Sequence, residues 1–259
     1  MSELAARPLP TGARGAAGSS DPPEEAAPAV GRPRANPRTA DGPVRDEIVA
    51  AAARLFAEQG FAATTMAQIA AAAGLRQSSL YYYFRRKELI LQATFTVNRA
   101  PLDFLKRIRR EPGTAALRLY RLLRFDVVQL CLAPCDVNEV YRISLVQPEL
   151  FTEFWADRAE LHRRTEALIR AGVKEATLAP TDARLTALTL LSANEGHQNW
   201  WRQRGELRLD GLAPGREPRY SPAELGTFVA RSALRSLLAQ PSGLGRLSRQ
   251  ADAFDDLPS

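Results

Sequence analysis

Apolar side chains recur at helical spacing from residue 44 onward. Val44, Ile48, Ala52, Leu55 and Phe56 fall on one side, with Arg45, Glu47, Arg54 and Glu58 on the other. Gly60 stands where a helix C-terminal glycine belongs, and Phe61 can fold back onto Phe56. Thr65-Met66-Ala67-Gln68 has the pattern of a capping box, in which Thr65 caps a helix and Gln68 reaches back from its third position. This predicts a second short helix over about 66–73, stopped at Gly74, a third from Gln77 to around Phe84 and a fourth after Arg85. Three helices in so short a span, two of them joined by a glycine turn, are the layout of a tri-helical helix-turn-helix unit.

No later segment shows sustained period-two alternation. The pattern predicts helices over about 86–110, 114–132, 137–146, 149–173, 182–204 and 222–239, with Pro101 kinking or splitting the first. Gly205 to Tyr220 reads as a loop. The fold class is therefore all-α, with an N-terminal tri-helical helix-turn-helix domain (44–91) followed by a larger helical domain (92–240). Residues 241–259 read as a frayed C-terminal tail. Residues 1–43 are rich in Pro and Gly, with almost no large apolar side chain, and read as a disordered extension. Arg32, Arg34, Arg38 and Arg45 close that extension against Asp41 alone, so it is either a basic arm beside DNA or a solvated tail.

In the helix-turn-helix, Ile69, Ala70, Ala73, Leu75, Leu80, Phe84 and Leu89 can close a small core with Ile48, Phe56 and Phe61. That leaves Gln77, Ser78, Ser79, Tyr81, Tyr82 and Tyr83 as the outward side of the third helix. Successive residues point about 100° apart, so the three tyrosines cannot all be buried. Between Gly74 and Lys87 stand Arg76, Arg85, Arg86 and Lys87, and no acid. Gln can bond adenine bidentately, and Ser can probe base edges in the major groove. Tyr hydroxyls and basic side chains bond phosphates, as do the free N–H groups that open the second and fourth helices.

Arg54-Leu55-Phe56-Ala57-Glu58-Gln59-Gly60-Phe61, the threonine-capped helix, Ile69-Ala70, the Gly74 turn and Leu80-Tyr81-Tyr82-Tyr83-Phe84 running into Lys87-Glu88-Leu89 resemble, in order and spacing, the TetR family of bacterial regulators. The resemblance covers about Val44 to Leu91. It implies that Gln77, Ser78 and Ser79 face bases, that Thr65, Tyr82, Tyr83 and Lys87 grip phosphates, and that Tyr81 serves either role. Arg76 departs from the family, which usually has a small capping residue there. Arg76 cannot cap, so that helix start leans on Ser78 or water, and Arg76 is left for a phosphate or guanine contact.

For the rest of the chain the family supplies architecture only, as an analogy. It implies that 44–91 is a DNA-binding domain and 92–240 an effector-binding and dimerisation domain, and with them a homodimer, a double-stranded operator DNA and an unidentified small-molecule effector. Leu225, Phe228, Val229, Ala233, Leu234, Leu237 and Leu238 on one helix, and Leu185, Leu188, Leu190 and Leu191 on another, form either the dimer interface or the subunit's own core. Tyr120, Phe125, Tyr141, Phe151, Trp155, Asn194, His197 and Trp201 are candidate pocket residues, with core packing as the plainer reading of the aromatics. The run Asn194-Glu195-Gly196-His197-Gln198-Asn199 lines a cavity, crosses a dimer interface or faces water. His162, between Glu160 and Arg163, is expected at the surface.

Composition narrows the function further. The net charge is +6, which favours a polyanionic partner. No run approaches a membrane span, and Met1 to Ala6 carry no secretory signal, so the expected location is cytoplasmic. Cys131 and Cys135 read as reduced, buried small residues. No phosphate loop, dinucleotide fingerprint, nucleophile elbow or paired-histidine zinc helix occurs, and there are only 2 histidines. The expectation is a non-enzyme with no cofactor and no metal: a ligand-released repressor. The alternatives are an activator of the same fold, or an architectural protein that coats DNA.

Overall fold

The computed structural model describes residues 41–94, 98–134, 136–201, 220–254, 256 and 257. The segment 1–40, Cys135 and the loop expected after Gly205, up to residue 219, lie outside the described residues. α1 (Asp41–Ala63) is broken at Gly60, whose φ of 81° is a left-handed conformation that side chains with a Cβ avoid. The chain turns back there, and the Phe61 ring meets Phe56 at 5.4 Å.

α2 (Met66–Ala72) begins on the expected capping box. The Gln68 N–H donates to Thr65 Oγ1 at 3.2 Å, and the Thr65 N–H donates to Gln68 Oε1 at 2.8 Å. It ends in a Schellman motif: Leu75 N–H donates to the Ala70 carbonyl at 2.8 Å and Gly74 N–H to Ala71 at 3.0 Å. Gly74 supplies the positive φ this requires, 67°. α3 (Gln77–Tyr83) follows the turn, and Arg76 indeed provides no side-chain cap.

The helix expected over 86–110 is two helices, α4 (Lys87–Thr94) and α5 (Arg99–Ile108). Pro101 falls in the first turn of α5, where its missing N–H has no intrahelical partner to lose. Then come α6 (Ala115–Leu132), α7 (Val137–Val146), α8 (Thr152–Lys174), α9 (Ala183–Trp201) and α10 (Pro222–Leu237). Among the described residues no strand forms, and no helix is long and apolar enough to cross a membrane.

α6 is the central helix, packed against α5, α8, α9 and α10. Leu119, Tyr120, Leu122, Leu123 and Val127 on it have no exposed surface. α10 comes so close that a Cβ on Gly226 would lie 2.7 Å from the Arg124 carbonyl oxygen.

The expected C-terminal tail is instead folded from Pro241 to Asp252. α11 (Leu244–Asp252) buries Leu244, Leu247 and Ala251, and packs on α6. Arg121 of α6 explains why the chain continues inward. Its side chain is sealed from solvent and needs partners. Asp256 supplies two, accepting from Nε at 2.6 Å and from Nη2 at 2.7 Å, while Glu111 accepts at 2.6 Å. The Phe254 ring covers the guanidinium at 3.7 Å.

Asp256→Asn leaves Arg121 buried with its main counter-charge removed. It should lower unfolding stability by about 3 kcal/mol, read from the urea midpoint at pH 7. An unchanged midpoint would show that Asp256 does not hold Arg121.

Candidate functional site

Two sites emerge, one on the surface of α3 and one inside the helical domain. On α3, Leu80 is fully buried and Phe84 nearly so, and these anchor the helix. Gln77, Ser78 and Ser79 are exposed, Tyr81 is 44% exposed and Tyr82 71%. Tyr83 is half-buried, packed edge-on against Tyr82 at 5.1 Å. Arg76, Arg85 and Arg86 flank this side, all exposed. Thr65 is exposed at the start of α2, with its hydroxyl engaged in the capping box.

Lys87, expected to grip phosphate, is half-buried and holds contacts within the chain. Its ammonium donates to the carbonyls of Phe61 and Thr64, each at 2.6 Å, and sits over the Phe61 ring at 4.2 Å. It therefore ties the turn after Gly60 to the start of α4. Partial desolvation holds its pKa below the ordinary lysine range, against the pull of Glu88 and Glu139.

The interior site lies where α6, α7, α8 and α9 meet. Asn194 is buried and donates to Asp126 Oδ2 at 2.7 Å. Arg158 pairs with Glu195, with one contact at 3.1 Å, and its guanidinium lies 4.6 Å over the Tyr141 ring. The Tyr141 hydroxyl donates to Glu195 at 3.2 Å, and the Trp155 ring leans on Tyr141 at 5.6 Å. Burial pushes Asp126 up to about 7, with Asn194 opposing and Glu195 adding to the rise. Burial also raises Glu195, against the pull of Arg158.

Of the pocket candidates, this site gathers Tyr141, Trp155 and Asn194, with His197 half-buried one turn along α9. The others are packing residues. Tyr120 is sealed and its hydroxyl meets Ser248 of α11 at 3.0 Å. Phe125 stacks on Phe104 at 4.2 Å. Phe151 is sealed in the N-terminal apolar cluster, and Trp201 packs on the cluster of Val127, Cys131, Leu225 and Val229. His162, expected at the surface, is half-buried, and burial beside Arg158 lowers its pKa.

The sequence reading missed Asp126 and Arg158. Asp126 carried one usable signal, a lone acid between Leu122-Leu123 and Val127-Val128 on a helix otherwise apolar on that side. Among the described residues, no group of three or more metal-ligating side chains comes together.

The dimer candidates also divide. Leu191, Leu225, Val229, Leu234 and Leu238 belong to the subunit's own core. Leu185 (62% exposed), Leu188 and Phe228 (67%) face outward from α9 and α10.

The model for the N-terminal domain of bacterial regulatory proteins of the tetR family matches residues 48–94, and a tetracyclin repressor-like C-terminal domain model matches residues 126–214. No curated protein matches the sequence. Among solved structures, Mycobacterium smegmatis AmtR is 26% identical, with a TM-score of 0.56, covering 81% of this chain and 94% of its own. A TetR/AcrR-family regulator from Thermobifida fusca is 25% identical, with a TM-score of 0.54, over 73% of this chain and 96% of its own. AibR, solved with isovaleryl coenzyme A and operator DNA, is 19% identical, with a TM-score of 0.51, over 76% of this chain and 98% of its own, which is a likeness of fold.

In the unfolded chain Asp126 ionises near its ordinary value, but folded it keeps its proton to about 7. The folded state thus binds more protons between those values, and stability falls as pH rises from about 4 to about 7. Asp126→Asn should remove about 2–3 kcal/mol of the loss between pH 5 and pH 8, read from urea unfolding at both. Parallel pH profiles of the two proteins would mean that folding does not change the proton occupancy of Asp126 between pH 5 and pH 8.

Proposed function

The chain belongs to the TetR family of bacterial DNA-binding regulators, and from that premise we propose that it is a homodimeric repressor released from a palindromic operator by a small molecule. The observation that carries the DNA reading is the outward side of α3. Gln77, Ser78 and Ser79 are exposed and uncharged, suited to base edges, and Arg76, Arg85 and Arg86 surround them. Thr65, Tyr81, Tyr82 and Tyr83 fix the register on phosphates. Lys87 acts by holding the end of α1 against α4, which sets the angle at which α3 enters the groove.

One recognition helix reads only a few base pairs, so a two-fold copy supplies the specificity. Leu185, Leu188 and Phe228 are the exposed apolar side chains that a second copy would cover, forming a four-helix interface from α9 and α10.

Effector release needs a route from the helical domain to α3. Tyr141 and Trp155 supply one, because they touch the interior polar site and also pack on the apolar cluster that contains Ile48, Leu80 and Phe84. A ligand that moves Tyr141 would shift the population of dimer geometries away from those fitting successive major grooves, about 34 Å apart. Repression by steric block follows from such a cycle, and the arrangement of residues requires no catalysis.

Selection from random duplex DNA at physiological salt should enrich a palindrome. On that operator, Gln77→Ala should relax preference at one base pair per half-site, by about 1–3 kcal/mol. Arg85→Ala should weaken all sequences equally and reduce the salt slope by about one. Uniform loss in both variants would contradict the division between base and phosphate contacts.

Phe228→Asp should shift the sedimenting species from dimer to monomer while the helical circular dichroism stays unchanged. A variant that remains dimeric would place the interface elsewhere.

A further inference from the structure

Asp126 is 4% exposed and lies inside the helical domain, where an ionised carboxylate needs a counter-charge. Among the described residues its one hydrogen bond from a side chain, at 2.7 Å, comes from the neutral Asn194 amide. The guanidinium whose charge acts on it is committed elsewhere. Arg158 forms a two-pronged pair with Glu195, and the Tyr141 hydroxyl completes that carboxylate at 3.2 Å. One cation therefore serves two acids, the sealed Asp126 and the half-buried Glu195, and the cluster is short of one positive charge whenever both ionise. The charged groups acting on Asp126 are Arg158 from α8 and Glu195 from α9, and α5, α10 and α11 contribute none among the described residues.

A second, independent feature lies beside it. Gln198, one turn along α9 from Asn194, is 1% exposed. Its Oε1 accepts from the Val137 N–H at 3.0 Å, but its buried Nε2 has no partner. His162, one turn along α8 from Arg158, has a buried Nδ1 that is likewise unpartnered. An amide N–H left without an acceptor in the interior costs on the order of 1–3 kcal/mol, and a ligand oxygen would satisfy it. The aromatic side of the cluster is formed by Tyr141, Phe154 and Trp155, whose rings meet at 5.3–5.6 Å. Such rings favour a cation over an anion.

We propose that the effector is a small ammonium compound bearing a hydroxyl or carbonyl oxygen, its cation paired with Asp126 and its oxygen accepting from Gln198 Nε2. This rests on the reading that the helical domain takes an effector, and it adds the chemical class. Binding pairs the cation with the ionised form of Asp126, so the carboxyl proton leaves to solvent. The balance is one proton released per ammonium bound wherever the free protein holds Asp126 protonated. Affinity accordingly rises with pH until the carboxyl is ionised in the free protein.

The test uses calorimetry on the full-length protein with linear amino alcohols of two to six carbons, and with the diols and hydroxy acids of matched length. The amino alcohols should bind at least tenfold more tightly than either counterpart. Titration in two buffers of different ionisation enthalpy should report proton release at pH 6, and affinity should rise about tenfold from pH 6 to pH 8. Asp126→Asn, which keeps the size and the bond to Asn194, should abolish both the proton release and the preference for cations. Gln198→Leu should lose affinity for amino alcohols but not for simple alkylamines. Equal or tighter binding by the diols or hydroxy acids overturns the proposal, as does absence of binding by all the amino alcohols. If such an uncharged or acidic compound still releases operator DNA, only the chemical class fails and the effector reading stands. If no compound affects operator binding while amino alcohols bind through Asp126, the class stands and the coupling fails.

Discussion

Phe151 has no exposed surface, and the apolar cluster it belongs to draws on both parts of the chain. Val44, Ile48, Phe56 and Phe61 come from α1, Ile69 and Ala70 from α2, Leu80 from α3, and Ile90 and Leu91 from α4. Val137 and Val140 of α7 and Phe154 of α8 close it. A three-helix unit of this size buries too little surface to be stable by a wide margin alone. Here its core is finished by residues that follow the DNA-binding segment by more than forty positions. The angle of α3 is thereby tied to the packing of α7 and α8. The Arg86 guanidinium, which donates to Gln147 at the end of α7 at 3.3 Å, adds a polar contact to the same junction.

That shared core gives the interior polar site its leverage. Tyr141 sits at the boundary, half-buried against the cluster, with its hydroxyl on Glu195. Close-packed side chains do not deform gradually, so a change in what Glu195, Arg158 and Asp126 bond to reaches the tyrosine as a displacement. Elsewhere the helical domain is built against change. Gly226 admits α10 onto α6, and the sealed Arg121 is locked by Asp256 and Glu111. The same central helix therefore carries fixed contacts and a buried acid with an incomplete charge balance.

How much of this the sequence foretold follows from the distance over which each interaction acts. The capping box of Thr65 and Gln68, the Gly60 break and the Gly74 turn are settled within a few residues of one another, and all were legible. The outward side of α3 was legible too, because helical periodicity separates Leu80 and Phe84 from their polar neighbours. The interior site was not. Asp126 meets Asn194 across 68 positions and Arg121 meets Asp256 across 135, and no local pattern announces either pair. The carbonyl contacts of Lys87 were out of reach for the same reason, since they lie 26 and 23 positions earlier. α11 escaped notice because Leu244, Leu247 and Ala251 are spaced among Arg, Ser and Gln residues that read as a solvated tail.

Hydrogen exchange of the intact protein and of Tyr141→Ala, followed by peptide, addresses the shared core most directly. If the helix-turn-helix is completed by α7 and α8, the substitution speeds exchange at Ile48, Ile90 and Leu91 in α1 and α4 and leaves α10 and α11 unchanged. Faster exchange confined to α7 and α8, with α1 to α4 as protected as before, would show that the DNA-binding unit holds its own core and that the interior site has no mechanical hold on it.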